Sequence, residues 1–151
     1  YYYRHSRMWT GYSLGTSRSD DKPSYPFGHG LSYTTFEYSK LTVPKELPAG
    51  ENVPVSVTVT NTGEMAGDHS VLLYVSDVVA SVAPAVKKLK GFTKIHLKPK
   101  ESEIVNFVLE PDDLAIWDVN MKHGVEPGEF RISIGDKKSR FWLKERTTLS
   151  Q

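Results

Sequence analysis

The sequence predicts an all-β sandwich of about seven short strands, preceded by an irregular N-terminal connector. Three observations predict it. From Phe36 onward apolar residues recur at every second position in short runs, turn-forming residues separate the runs, and no stretch carries the 3.6-residue period of a long amphipathic helix. Short half-buried strands of this kind bury their apolar faces by stacking two sheets, which favours a sandwich over a barrel or an α/β fold.

Tyr1 to about Pro23 mixes Arg, Ser, Gly, Asp and aromatics without either period and closes on the turn-rich Ser17-Arg18-Ser19-Asp20-Asp21-Lys22-Pro23. Its Tyr1, Tyr2, Tyr3, Trp9 and Tyr12 are denser than a flexible linker tolerates, so the segment is expected to pack against something. It has no initiating Met and no basic-then-apolar leader, so an upstream region is expected.

A first strand is expected from Phe36 to Val43. Val53-Pro54-Val55-Ser56-Val57-Thr58-Val59-Thr60 is the clearest strand, with four valines on one face and Pro, Ser and Thr on the other. Pro54 has no N–H to donate, which places it at a strand start or a sheet edge. Asn61-Thr62-Gly63 then turns the chain. Val71-Leu72-Leu73-Tyr74-Val75 is apolar on both faces, as in a central strand. Lys88 to Leu97 is expected to set Leu89, Ile95 and Leu97 against Lys88, Lys90, Lys94 and His96, with a bulge at Gly91. After a turn at Pro99-Lys100-Glu101, Val105, Phe107 and Leu109 share a face. Pro111 to Trp117 suits a single helical turn between strands, with Pro at the first position and acidic residues near the positive end. Phe130, Ile132 and Ile134 follow the turn Glu126-Pro127-Gly128, and Phe141-Trp142-Leu143 ends the series.

The 151 residues suit one domain, or one domain with a tail, and 38% hydrophobic with 25% charged residues are globular values. No apolar run approaches the roughly 18 residues of a membrane span. Nineteen Lys and Arg against 18 Asp and Glu leave a formal charge of +1, which gives no electrostatic reason to bind nucleic acid or acidic membranes. Cysteine is absent, which excludes disulfides and thiolate metal sites.

Catalytic chemistry finds little support. The only adjacent carboxyl pairs are Asp20-Asp21 and Asp112-Asp113, which read as a solvated turn and a helix start rather than as groups flanking a glycosidic bond. His5, His29, His69, His96 and His123 are scattered without metal-ligand spacing, so neither metal nor cofactor is expected. Gly28-His29-Gly30 opens a dinucleotide fingerprint that Tyr33 breaks. Two binding surfaces stay open: the lysines Lys88, Lys90 and Lys94, which alternation reads as a solvated face, and the aromatics Trp9, Tyr12, Trp117 and Trp142, which offer flat apolar rings to a sugar or to a neighbouring domain.

Tyr25-Pro26-Phe27-Gly28-His29-Gly30-Leu31-Ser32-Tyr33-Thr34-Thr35-Phe36 closely resembles the signature that opens the C-terminal fibronectin type III-like domain of family 3 glycoside hydrolases, the β-glucosidases and β-xylosidases. The similarity continues in order through residues 55–63, Gly67 to Val75, Leu89-Lys90-Gly91-Phe92, Asp113 to Asp118 and Glu126 to Gly135. The resemblance implies an immunoglobulin-like, fibronectin type III-like sandwich over residues 25–146, a connector from an α/β domain over 1–24 and a tail over 147–151. It implies that the catalytic carboxylates lie upstream of this chain, that Trp9, Tyr12, Tyr25, Pro26, Phe27, His29, Leu31 and Tyr33 dock it onto catalytic domains of the same polypeptide, and that the parent is secreted or periplasmic. A polysaccharide-binding module using Trp117, Trp142, Lys88, Lys90 and Lys94 is the alternative. Neither reading invokes nucleic acid or membrane insertion.

Overall fold

A computed structural model describes residues 2–3, 28–48, 50–78, 87–118 and 120–148. Seven strands of seven to eleven residues carry the fold: β2 (Phe36–Thr42), β4 (Val53–Asn61), β5 (Gly67–Asp77), β6 (Lys87–Leu97), β7 (Ser102–Leu109), β10 (Gly128–Ile134) and β11 (Lys137–Leu143). Shorter elements attach to them: β1 (Tyr2–Tyr3), β3 (Glu46–Leu47), one helical turn α1 (Pro111–Leu114), β8 (Ile116–Trp117), β9 (His123–Val125) and β12 (Thr147–Thr148). The larger sheet has the order β1-β6-β5-β10-β11-β3, the sheet facing it β2-β4-β7, and a small third sheet β12-β9-β8. β11 lies beside β2 and β6 beside β7, which closes the two long edges.

Alternation explains the core. Val53, Val55, Val57 and Val59 of β4 point inward with Val105 and Leu109 of β7, against Val71, Leu73 and Val75 of β5, Phe130, Ile132 and Ile134 of β10, and Phe141 and Leu143 of β11. Phe130 and Phe141 pair across β10 and β11 with ring centroids 5.4 Å apart. Each such side chain contributes about 1.5–3 kcal/mol on leaving water, so the inner faces dominate the stability. Pro54 is the second residue of β4, in register with Val108 of β7 and beyond the stretch of β4 that β2 covers, so its missing N–H faces the uncovered side.

Two expectations change. The β6 bulge falls at Lys90, since Leu73 pairs with Gly91 while Tyr74 pairs with Leu89. One inserted residue reverses the phase of the strand, so Lys88 takes the inward side opposite Val75, and Leu89 joins Tyr74 on the outer face instead of sharing one with Ile95 and Leu97. At the other end of the sequence, Thr147–Thr148 does not hang free as a tail but pairs with Val125 and Gly124 of β9. The expected helical turn forms, with the Asp113 carboxylate accepting from Glu110 N at 3.0 Å.

Candidate docking and ligand surfaces

At the end of the sandwich where β2 begins, a buried amide organises three chain segments. Asn61 closes β4 with no solvent exposure. Its Oδ1 accepts from Thr34 Oγ1 at 2.6 Å and from Gly63 N at 3.1 Å, and its Nδ2 donates to the carbonyls of Met65 (2.8 Å) and Leu97 (3.0 Å). Its backbone bridges to the β6–β7 turn through Glu101 O and Lys100 N, both at 2.9 Å. Thr62 N donates to Thr35 O at 2.8 Å, so the segment before β2 is bound to the β4–β5 turn by main chain and side chain alike. Gly63 permits this approach, because a Cβ there would collide with Thr34 Oγ1 and stand 3.0 Å from Thr35 N.

The same segment turns its other side outward. Leu31 is 98% and Tyr33 95% exposed, and His29 is exposed as well. Gly28, at φ +85°, lies over Leu72, whose β6 neighbour Phe92 is also exposed. Of the residues predicted to dock, His29, Leu31 and Tyr33 therefore share one apolar, outward-facing stretch; Trp9, Tyr12, Tyr25, Pro26 and Phe27 lie outside the described residues. Behind this stretch His69 stacks on Phe36 with centroids 4.4 Å apart, and its Nε2 lies 2.6 Å from the Tyr38 hydroxyl. Burial holds the His69 imidazole below its ordinary pKa, and burial with the nearby Asp136 charge pushes the Tyr38 phenol up to about 12.

The opposite end is held by a carboxylate. Asp118 Oδ1 accepts from Asn120 N at 2.8 Å and Lys122 N at 2.9 Å, and Oδ2 pairs with the Arg146 guanidinium. The Lys122 amide and then Arg146 hold its carboxyl below the usual carboxylate range against the opposing effect of burial. Asp113 is engaged by Lys90 Nζ at 3.5 Å as well as by the helix start, and Asp112 lies 3.8 Å from His123 Nε2. Asp113 is thus occupied with local structure, while Asp112 stands largely in solvent. Among the described residues no group of three His, Asp or Glu side chains is arranged to hold a metal ion.

The predicted lysine face disperses. Lys88 lines a small cleft with Val75, Asp77, Asp113, Leu114, Ile116 and Phe130, and burial followed by the Lys90 charge lowers its pKa against the pull of Asp77. Lys90 pairs with Asp113, and Lys94 with Asp68 at 2.6 Å. The bulge at Lys90 is the reason that Lys88 and Lys94 do not share a face. The two tryptophans also separate. Trp117 is 46% exposed but has the His123 ring against it at 4.9 Å. Trp142 is 52% exposed beside an open groove of about 410 Å3 lined by Glu46, Pro127, Gly128, Trp142, Leu143 and Lys144.

Glu46 and Lys144 were not legible as site residues, because β3 reaches β11 through a parallel pairing that puts Glu46 opposite Trp142 across nearly the whole domain. Glu46 Oε2 and Lys144 Nζ are 2.6 Å apart, which holds the lysine above its ordinary pKa. Across β10, Glu129 stands opposite Trp142, with Oε1 3.0 Å from Arg140 Nη1 in an ion pair that lacks hydrogen-bond alignment. An indole flanked by two carboxylates and two cations can take a flat apolar face while presenting donors and acceptors at its rim.

Residues 69–138 match the fibronectin type III-like domain. The chain is 44% identical over 129 residues to the periplasmic β-glucosidase of Salmonella typhimurium, covering 83% of this chain and 17% of that protein. It is 46% identical over 140 residues to thermostable β-glucosidase B of Acetivibrio thermocellus, covering 91% and 18%, and 48% identical over 118 residues to a β-xylosidase of Formosa agariphila, covering 78% and 16%. Among solved structures it is similar to a β-glucosidase from Listeria innocua in complex with glucose, at TM-score 0.81 and 31% identity over 95% of this chain and 22% of that one. The chain spans about a sixth of the length of these curated relatives. It carries the fibronectin type III-like domain that occurs in β-glucosidases and β-xylosidases.

Proposed function

We propose that this fibronectin type III-like chain is a non-catalytic C-terminal accessory domain of a family 3 glycoside hydrolase, packing on the catalytic domains of the same polypeptide and stabilising them. One observation carries the reading: the segment before β2 is locked to the sandwich through Thr34 and Thr35, while Leu31 and Tyr33 of the same segment stand almost fully in water. A pair of large apolar side chains presented beside this anchored segment is suited to a domain interface, where each contributes roughly 2 kcal/mol on burial. The engagement of Asp113 by Lys90 and the helix start supports the non-catalytic half of the reading. A secreted or periplasmic location goes with it, as in the periplasmic Salmonella relative.

The test compares Leu31→Ser and Tyr33→Ser in the chain and in its parent. In the chain alone, unfolding free energy should change by less than about 0.5 kcal/mol, as for other exposed positions. In the parent the thermal midpoint should fall. A parent that tolerates both substitutions, or loss of everything after residue 24, with stability and activity intact would sink the reading.

A further inference from the structure

We infer that the groove beside Trp142 is a subsite for one pyranose ring of a neutral oligosaccharide, stacked on the exposed indole face. The backbone explains why the indole is available. Phe141 and Leu143 face the core, so Trp142 between them must face outward, and the fold itself has no need of so large a side chain there. β3 then brings Glu46 beside it, and Lys144 completes the rim through its 2.6 Å contact with Glu46.

The chemistry of the groove selects its ligand. A pyranose ring has an apolar face of C–H bonds and a rim of hydroxyls; the indole takes the face, the Glu46 carboxylate accepts from a hydroxyl, and the Lys144 ammonium donates to its neighbour. The open groove of about 410 Å3 lies in the usual size range of small-ligand sites. Trp117, similarly exposed, lacks this arrangement because the His123 ring lies against it. The groove opens where β10 begins, whereas Leu31 and Tyr33 lie at the end where β2 begins, so the two patches can be altered separately. The choice of a sugar over another flat ligand rests on reading the chain as part of a glycosidase; the groove and its rim do not.

The probes are cellohexaose and xylohexaose, titrated into the full chain while tryptophan fluorescence and backbone amide shifts are recorded. A saturable change should centre on the Trp142 indole and the amides of Gly128 and Lys144. Trp142→Ala should weaken it at least tenfold, about 1.4 kcal/mol. Trp142→Tyr should keep part of it, and Trp117→Ala should leave it unchanged. Both tryptophans are surface side chains, so circular dichroism should show every variant folded. No saturable change at millimolar sugar, or one that survives Trp142→Ala, overturns the proposal. The docking reading fails by a different measurement, the parent's thermal midpoint on changing Leu31 and Tyr33, so either idea can be lost without the other.

Discussion

A neutral amide ties down one end of the sandwich and a carboxylate the other. Asn61 holds Thr34, Gly63 and the carbonyls of Met65 and Leu97, joining the segment before β2 to two turns; Asp118 holds the amides of Asn120 and Lys122 and the guanidinium of Arg146, fastening the stretch that leads into β12. Both satisfy backbone groups that would otherwise be left without partners at chain reversals. They differ in what can release them. Asn61 has no titratable proton and no net charge, and it is fully buried, so neither acid nor salt acts on the latch itself. Asp118 depends on its ionisation.

The largest expected effect comes from breaking the neutral latch. Asn61→Ala removes partners from a buried hydroxyl, an amide and two carbonyls and should cost about 3 kcal/mol, read as a lower urea midpoint. Gly63→Ala attacks the same contact from the other side: the added methyl forces Thr34 and Thr35 away from the turn, at about 2 kcal/mol in the same assay. If either variant matched the original chain, the latch would not be what holds the segment.

The charged latch is tested with acid. Because the folded pKa of Asp118 lies below its unfolded value, its contribution to stability is complete above about 3.8 and disappears as pH falls through the lowered folded value. Asp118→Asn should therefore lower the urea midpoint at neutral pH and do so much less in strong acid. A smaller and earlier step belongs to the first end. His69 is held below its ordinary 6.5 by burial, so its contribution is full above that pH and is lost as pH falls through the lowered folded value. His69→Phe should remove that step from a stability profile measured downward from neutrality, and an unchanged profile would show that His69 protonates without strain against Phe36 and Tyr38.

Much of the framework was legible in advance, and the reason differs from element to element. The alternating valines of β4 identify both the strand and its buried face, because period-2 patterning is a local property. Pro111 followed by two aspartates likewise announces a helical turn. β6 was only half legible. Gly91 signalled a bulge, yet the inserted residue proved to be Lys90, and that single step moves Lys88 inward and Leu89 outward. Asn61 was visible as turn chemistry but not as a latch, since its partners Thr34 and Leu97 are far away in sequence. For the outward stretch, the residue types suggest anchors for the strand entry into a core, whereas Leu31 and Tyr33 stand in water, because only the fold shows which side of the segment Thr34 turns inward.

By itself the sequence determined the sandwich, the inward face of most strands, and the absence of any spacing suited to metal or paired-carboxylate chemistry, all of which depend on residues near one another in the chain. Tertiary structure alone decided which of two half-exposed tryptophans borders a groove, where the lysines point, and that Glu46 stands beside Trp142. Those facts depend on strand register and on a parallel pairing between segments far apart in the chain, where a shift of one residue exchanges core for solvent.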